Sequence, residues 1–112
     1  MEFEVQLLPN VVDFILSLSD KMQAKIQRSI ELLKTFGYKL PEPHSKKIVN
    51  FANLNELRVK LGTDIGRLFY FYYKNQIYVI TSGYIKKDNK LKKSEIDKAI
   101  KLMKYFKETT NE

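Results

Sequence analysis

Residues 56–87 read ELRVKLGTDIGRLFYFYYKNQIYVITSGYIKK, and the fold turns on this stretch. Leu57, Val59 and Leu61 alternate with Glu56, Arg58 and Lys60, the period-two pattern of a strand with one buried face. Gly62-Thr63-Asp64-Ile65-Gly66 then turns the chain, which predicts a hairpin. The next strand, Arg67 to Lys74, runs Leu-Phe-Tyr-Phe-Tyr-Tyr with little polar alternation. Both of its faces must be covered, or its aromatics must be functional. Asn75-Gln76 is a short connection to a third β-rich run, Ile77 to Ile85, in which Gly83 marks a bulge or a close approach of the backbone. Three adjacent antiparallel strands are expected.

Upstream, Phe3, Val5 and Leu7 alternate with Glu2, Glu4 and Gln6 up to Pro9, giving a first strand over residues 2–8. Asn10 is a cap-like residue opening a short apolar stretch, and Ser19-Asp20 offer a second N-cap. Met22, Ile26, Ile30 and Leu33 then fall on one helical face while Lys21, Lys25, Arg28 and Lys34 stay in water, and Gly37 suits a C-terminal cap. Pro41 and Pro43 predict a loop, leading to an extra short strand near Ile48. Downstream, Lys86 to Lys93 is too polar for the core. Ser94, with Asp97 three residues on, caps a last helix whose stripe is Ile96, Ala99, Ile100, Met103 and Phe106. The expectation is an α+β fold in the order β-α-α-β-β-β-α: a small antiparallel β-sheet with two N-terminal helices packed on it and a C-terminal helix. No repeat or linker divides residues 1–112, so a single domain is expected.

The chain is 44% hydrophobic and 12% aromatic, which favours a packed globule over a disordered tail. It has no cysteine, so no disulfide or thiolate metal site can form. No apolar run approaches the roughly 20 residues of a membrane span, and the amino terminus lacks a signal-peptide pattern; the reading is a soluble cytoplasmic protein. The net charge of +7 is one-sided: residues 1–45 hold 5 basic against 6 acidic residues, and residues 46–112 hold 15 against 7. Such a distribution draws phosphate backbones, although a solubilising lysine-rich surface produces the same count.

The lone histidine, His44, has no His, Cys or carboxylate at ligand spacing. A zinc site and a Ser-His-Asp arrangement are therefore not expected, His44 is read as an ordinary loop residue, and neither metal nor cofactor is implied. The remaining chemistry lies in basic and aromatic residues on strands. If Leu57, Val59 and Leu61 face the helices, Arg58 and Lys60 point from the open side of the sheet. Arg67 starts the neighbouring strand, and two arginines on adjacent strands can bracket one phosphate. Structural pairing with Glu56 or Asp64 is the competing account. Lys86 and Lys87 follow the last strand as phosphate-contact candidates, Lys90, Lys92 and Lys93 form a lysine-rich loop, and Tyr84 is the aromatic singled out for base stacking.

Taken together, Glu56-Leu57-Arg58, Gly66-Arg67-Leu68-Phe69-Tyr70, Lys86-Lys87 and Ser94-Glu95-Ile96-Asp97-Lys98-Ala99 resemble the phage-derived HigB-like branch of the RelE/ParE toxin superfamily. The resemblance is close over residues 53–107 and a matter of pattern in the helical amino-terminal half. It implies a RelE-like fold and the toxin of a type II toxin-antitoxin system: a ribosome-dependent, metal-independent mRNA endoribonuclease that inhibits translation. Carried over by position, Arg58, Arg67, Lys86 and Lys87 contact mRNA in the decoding site, where the RNA 2′-OH attacks the adjacent phosphate. Lys60, Tyr84, Lys90, Lys92 and Lys93 extend the RNA-binding set. The implied partners are the ribosome, mRNA and a cognate antitoxin of helix-turn-helix type from the adjacent gene. Many relatives carry a His or Phe before the lysine pair and Thr-Pro at the last helix. This chain has Gly83-Tyr84-Ile85 and Lys93-Ser94, which leaves the general base unassigned. The same fold also hosts ParE-like inhibitors that bind DNA gyrase without cleaving, and inactive members.

Overall fold

The structure, a computed structural model, describes residues 2–48, 51, 53–86 and 92–110. Its elements are β1 (Glu4–Leu7), α1 (Pro9–Leu16), α2 (Asp20–Phe36), a 3-10 turn (Gly37–Lys39), β2 (Ser45–Lys47), β3 (Asn55–Leu61), β4 (Asp64–Lys74), β5 (Ile77–Lys86) and α3 (Lys93–Thr110). They form an α+β fold around one five-stranded sheet of order β1-β5-β4-β3-β2. Strand β1 returns parallel to β5 while the other pairs are antiparallel. The α1–α2 segment carries the chain from β1 at one edge of the sheet to β2 at the other. The extra strand expected near Ile48 is β2, and it covers only the first three residues of β3.

Element ends show where local chemistry was read correctly and where it was not. Ser19 caps α2, its hydroxyl accepting from the Met22 N–H at 3.2 Å, and Gly37 ends it at φ +54°. Helix α1, however, begins at Pro9 with Leu8 as N-cap, not at an Asn10 cap. The fixed φ of proline suits the first helical position, which leaves the Asn10 amide inside the turn, donating to the Thr81 carbonyl at 2.9 Å. Helix α3 likewise starts before Ser94. The Lys92 carbonyl already accepts from the Glu95 and Ile96 N–H groups, and Asp97 pairs with Lys93 at 3.4 Å instead of serving a capping box.

The β3–β4 turn is tighter than the five residues expected. Gly62 supplies the positive φ of +62° that a two-residue hairpin needs, so Asp64, Ile65 and Gly66 join β4 opposite Leu61, Lys60 and Val59. Between β4 and β5, Asn75 and Gln76 both take positive φ, and the Tyr72 hydroxyl accepts from the Gln76 N–H at 2.9 Å. The ladder irregularity near Gly83 falls slightly earlier, with Phe69 opposite Ser82 and Tyr70 opposite Ile80. Gly83 itself serves a close approach: a Cβ there would lie 2.8 Å from the Phe14 ring.

The sheet is covered on both faces. Leu57, Val59, Leu68, Tyr70, Tyr78 and Ile80 pack with Val11 of α1 and Met22, Ile26, Ile30 and Leu33 of α2. On the other face Ile96 and Ala99 of α3 pack with Leu54 and Phe69, and Met103 packs with Phe71 and Val79. The unbroken aromatic run of β4 is thus explained by two layers of cover. Among the described residues no helix is long and apolar enough to cross a membrane.

Candidate functional site

Alternation along β3 puts Glu56, Arg58 and Lys60 on the α3 face of the sheet. Antiparallel register then builds two cross-strand rows. Arg58 lies opposite Arg67, which lies opposite Tyr84; one row on, Lys60 lies opposite Ile65, which lies opposite Lys86. Residues scattered over positions 58–86 therefore converge on one end of three neighbouring strands. Lys87 and Lys90 lie outside the described residues. Lys92 and Lys93 stand exposed where α3 begins.

The convergence is not an open cationic face, and this corrects the expectation for Arg67. Its side chain is only 2% exposed, because β4 is the central strand and the α3 layer lies over this face. One guanidinium nitrogen donates to Glu56 Oε1 at 2.8 Å, in a fully buried contact. Arg58 Nε lies 3.5 Å from the same carboxylate oxygen, with its side chain 23% exposed. Glu56 is thus the anion that holds both arginines, and the structural pairing considered for them is what the fold contains. Removing one member of such a buried pair leaves an uncompensated charge, at a cost of roughly 3–5 kcal/mol.

Tyr84 closes the row. Its ring stacks on Phe69 at 6.0 Å between centroids and 21° between planes, and its hydroxyl accepts from the Lys92 N–H at 3.2 Å. Burial pushes the phenol pKa up, against the opposing pull of the Lys92 N–H and the Arg67 charge. Tyr84 therefore stays neutral and ties the start of α3 to the sheet, with its ring half-buried rather than offered to solvent.

At the edge of β3 the structure assembles a group that linear spacing did not reveal. Beyond Leu57 that edge is no longer paired with β2, and a groove of about 590 Å³ opens between β3 and α2. Lys25 and Arg28 of α2 line one wall, Arg58 and Lys60 the other, with His44 at the end and Leu32, Val59 and Ile65 as floor. Among the described residues no acidic side chain lines it. His44, read as an ordinary loop residue, is anchored here because its carbonyl accepts from the Arg58 N–H at 2.9 Å. The only sequence signal was composition, since α2 ends well before β3 begins and no local pattern ties Lys25, Arg28 or His44 to Arg58. Among the described residues no group of three or more His, Cys, Asp or Glu is placed to hold a metal ion.

A site of this kind can hold and orient a polyanion and stabilise charge on a phosphate through Arg58, Lys60 and Lys86. Comparison with known proteins gives its context. Residues 13–104 match the family model of phage-derived Gp49-like proteins. No curated protein matches the chain. Among solved structures, a mutant of the E. coli toxin RelE in the free state superposes with a TM-score of 0.64 at 14% identity, covering 90% of this chain and 97% of that one. A chain of an archaeal RelE–RelB complex from Pyrococcus horikoshii OT3 superposes at 0.55 with 17% identity, covering 81% of this chain and 100% of that one. At these identities the structural likeness establishes a shared fold.

Proposed function

Because the chain belongs to the phage-derived Gp49-like family, a RelE-type toxin family, we propose that it cleaves mRNA on the ribosome as the toxin of a type II toxin-antitoxin pair. The observation that carries this reading is the acid-free groove lined by Lys25, Arg28, His44, Arg58 and Lys60, continued across the sheet by Lys86 opposite Ile65. It offers a phosphate backbone a run of cations on a half-apolar floor.

In this reading the 2′-oxygen of one nucleotide attacks the adjoining phosphorus. The bond to the 5′-oxygen breaks, giving a cyclic phosphate and a 5′-hydroxyl, while one proton leaves the 2′-OH and another reaches the departing oxygen. Arg58 and Lys86 neutralise the charge that builds on the non-bridging oxygens. His44, the only imidazole in the chain, is of the side-chain type suited to proton transfer. Arg67 acts from inside: its ion pair with Glu56 fixes the carboxylate against which Arg58 is set. The test maps transcript 5′ ends after induction. New ends within translated codons support the reading, and intact messages with accumulated DNA breaks replace it by gyrase inhibition.

A RelE–RelB complex lies among the structural matches, and the product of the adjacent gene is proposed as antitoxin. An acidic segment laid in the groove would pair its cations and block the message together. Binding is expected to weaken as salt rises, read by titration at two ionic strengths; a neighbour that neither binds nor rescues growth defeats the pairing.

A further inference from the structure

On the same helix-covered side of the sheet, next to the α2–β3 groove at His44 and Ser45 and running toward the far end of β4, lies a second and larger groove that the cleavage reading does not use. Its volume is about 900 Å³, and its walls carry five aromatic rings, Phe3, Tyr38, Tyr70, Tyr72 and Tyr78. Helix α2 stops at Phe36, and Gly37, at φ +54°, turns the chain so that Tyr38 projects over the sheet end instead of burying itself. Tyr38 is 77% exposed and Tyr72 38% exposed, high values for rings of this size. They are held in a defined array: Tyr72 and Tyr70 meet Tyr78 edge-on at 5.3 and 5.6 Å, and Phe3 meets Tyr38 edge-on at 6.3 Å.

Asn53, Asn55, Gln76, Ser45 and Lys47 join the rings, and among the described residues no acidic one does. Amides and a hydroxyl offer paired donors and acceptors, and the ammonium offers one positive charge at the exposed β2 edge. The floor differs from that of the α2–β3 groove, where Leu32, Val59 and Ile65 would suit a protein's apolar side chains. Here, among the described residues, Leu40 is the only aliphatic one in the lining, and the surface presented is ring faces and edges. Burial pushes the Tyr70 phenol up and that of Tyr78 up to about 12.

We propose that the groove bounded by the exposed rings of Tyr38 and Tyr72, with the buried Tyr78 beneath them, binds an unpaired base of single-stranded RNA, with Lys47 meeting the adjoining phosphate. A flat base stacks on a tyrosine face whatever its sequence, its edge reaches the Asn55 and Asn53 amides, and the lack of acid leaves the phosphate unopposed. Arg67 and Tyr72 stand five residues apart on β4 and on opposite faces, so at roughly 3.3 Å per residue about 17 Å of strand separates them. The aromatic groove adjoins the cationic one, Ser45 lining the first and His44 the second, but its rings lie a strand's length from Arg67, and the proposal stands whether or not the protein cleaves.

The experiment uses the full chain off the ribosome, with single-stranded oligoadenylate, oligouridylate, duplex RNA and AMP as probes, read by NMR on ring-labelled tyrosine. Single strands are expected to shift Tyr38, Tyr72 and Tyr78 ahead of Tyr84, and duplex RNA to leave them in place. Tyr38→Ala removes an exposed ring and is expected to weaken oligonucleotide binding by about tenfold. Lys47→Ala is expected to weaken the oligonucleotide and lower its salt dependence. Binding by AMP as tight as by the oligonucleotide supports the base site with a free nucleotide as its source; binding by the oligonucleotide alone supports an RNA strand. Shifts confined to Tyr84, or affinity unchanged in folded Tyr38→Ala, overturn the proposal. So does a groove indifferent to RNA but shifted by the adjacent gene's product, which would make its occupant a protein.

Discussion

Strand β4 carries an arginine near one end and tyrosines at the other, and the structure inverts the exposure their chemistry suggests. Arg67 is 2% exposed whereas Tyr72 is 38% exposed. The difference lies in their neighbours. Arg67 sits in the middle of the sheet on the face covered by the α3 layer, and Glu56 on the adjacent strand compensates its charge. Tyr72 sits past the end of α2, in a groove that Phe3, Tyr38 and Leu40 line with it. Burial in a small sheet is set by the length of the covering helices and by whether a partner for the charge exists. Residue type comes second.

The largest effect is expected from breaking the buried pair. Arg67→Ala should destabilise the fold by roughly 3–5 kcal/mol by taking from the buried Glu56 its closer cation and leaving it the partly exposed Arg58 at 3.5 Å, read from the urea midpoint. A double replacement of Glu56 and Arg67 by apolar residues of similar volume should recover most of that loss. If Arg67→Ala is as stable as the parent, the buried end has been misjudged and Arg67 is free to act on substrate. Loss of toxicity in Arg67→Ala alone therefore identifies no phosphate contact, because unfolding gives the same result.

The next effect sharpens the comparison without disturbing the core. Lys86→Ala and Arg58→Ala remove cations that are only partly buried. Each is expected to lower cleavage about ten- to a hundredfold, the loss of one charge-assisted contact of roughly 1.5–3 kcal/mol. Cleavage assays paired with thermal melts check this, and equal cleavage by both soluble variants removes the cationic rows from the mechanism. A change at the aromatic end should then cost about 1–3 kcal/mol: Gly37→Ala forces a side chain into positive φ and into the Phe3 ring. Denaturation measures it, and a neutral result would show that Phe3 can yield.

The smallest effect is one of pH. The Tyr78 phenol stands at about 12 in the folded chain against an ordinary value of 10.0. Between these values the unfolded chain has lost a proton that the folded one keeps, so stability falls as pH rises through that window and is complete below it. Tyr78→Phe should show a shallower decline from pH 10 to 12, read by denaturation at several pH values; parallel declines would show that Tyr78 is not the group responsible.

Most of the secondary structure was legible because it rests on local chemistry: the alternation of Leu57, Val59 and Leu61, the Ser19 cap, the stripe from Met22 to Leu33. The misplaced boundaries at Asn10, Ser94 and Gly62–Gly66 share a cause. In each a polar or small residue that favours an end or a turn lies next to a stronger constraint: the fixed φ of Pro9, a helix ladder already running from Lys92, or one glycine sufficient for a two-residue turn.

The candidate site was legible in half. Period two alone set Arg58 and Lys60 on one face, and the order of motifs drew Arg67 and Lys86 into the same region. The sequence by itself thus determined the elements, their order and the residue types at the cationic end, because these follow from repeats of two and 3.6 residues and from turn chemistry within a few positions. Only the tertiary structure decided that Arg67 is an internal counter-ion, that His44, Lys25 and Arg28 join Arg58 in one groove, and that the tyrosines beyond α2 stand open. Those outcomes depend on strand register, on the face α3 covers and on where α2 stops. All three are settled by packing between segments far apart in the chain, which no local pattern records.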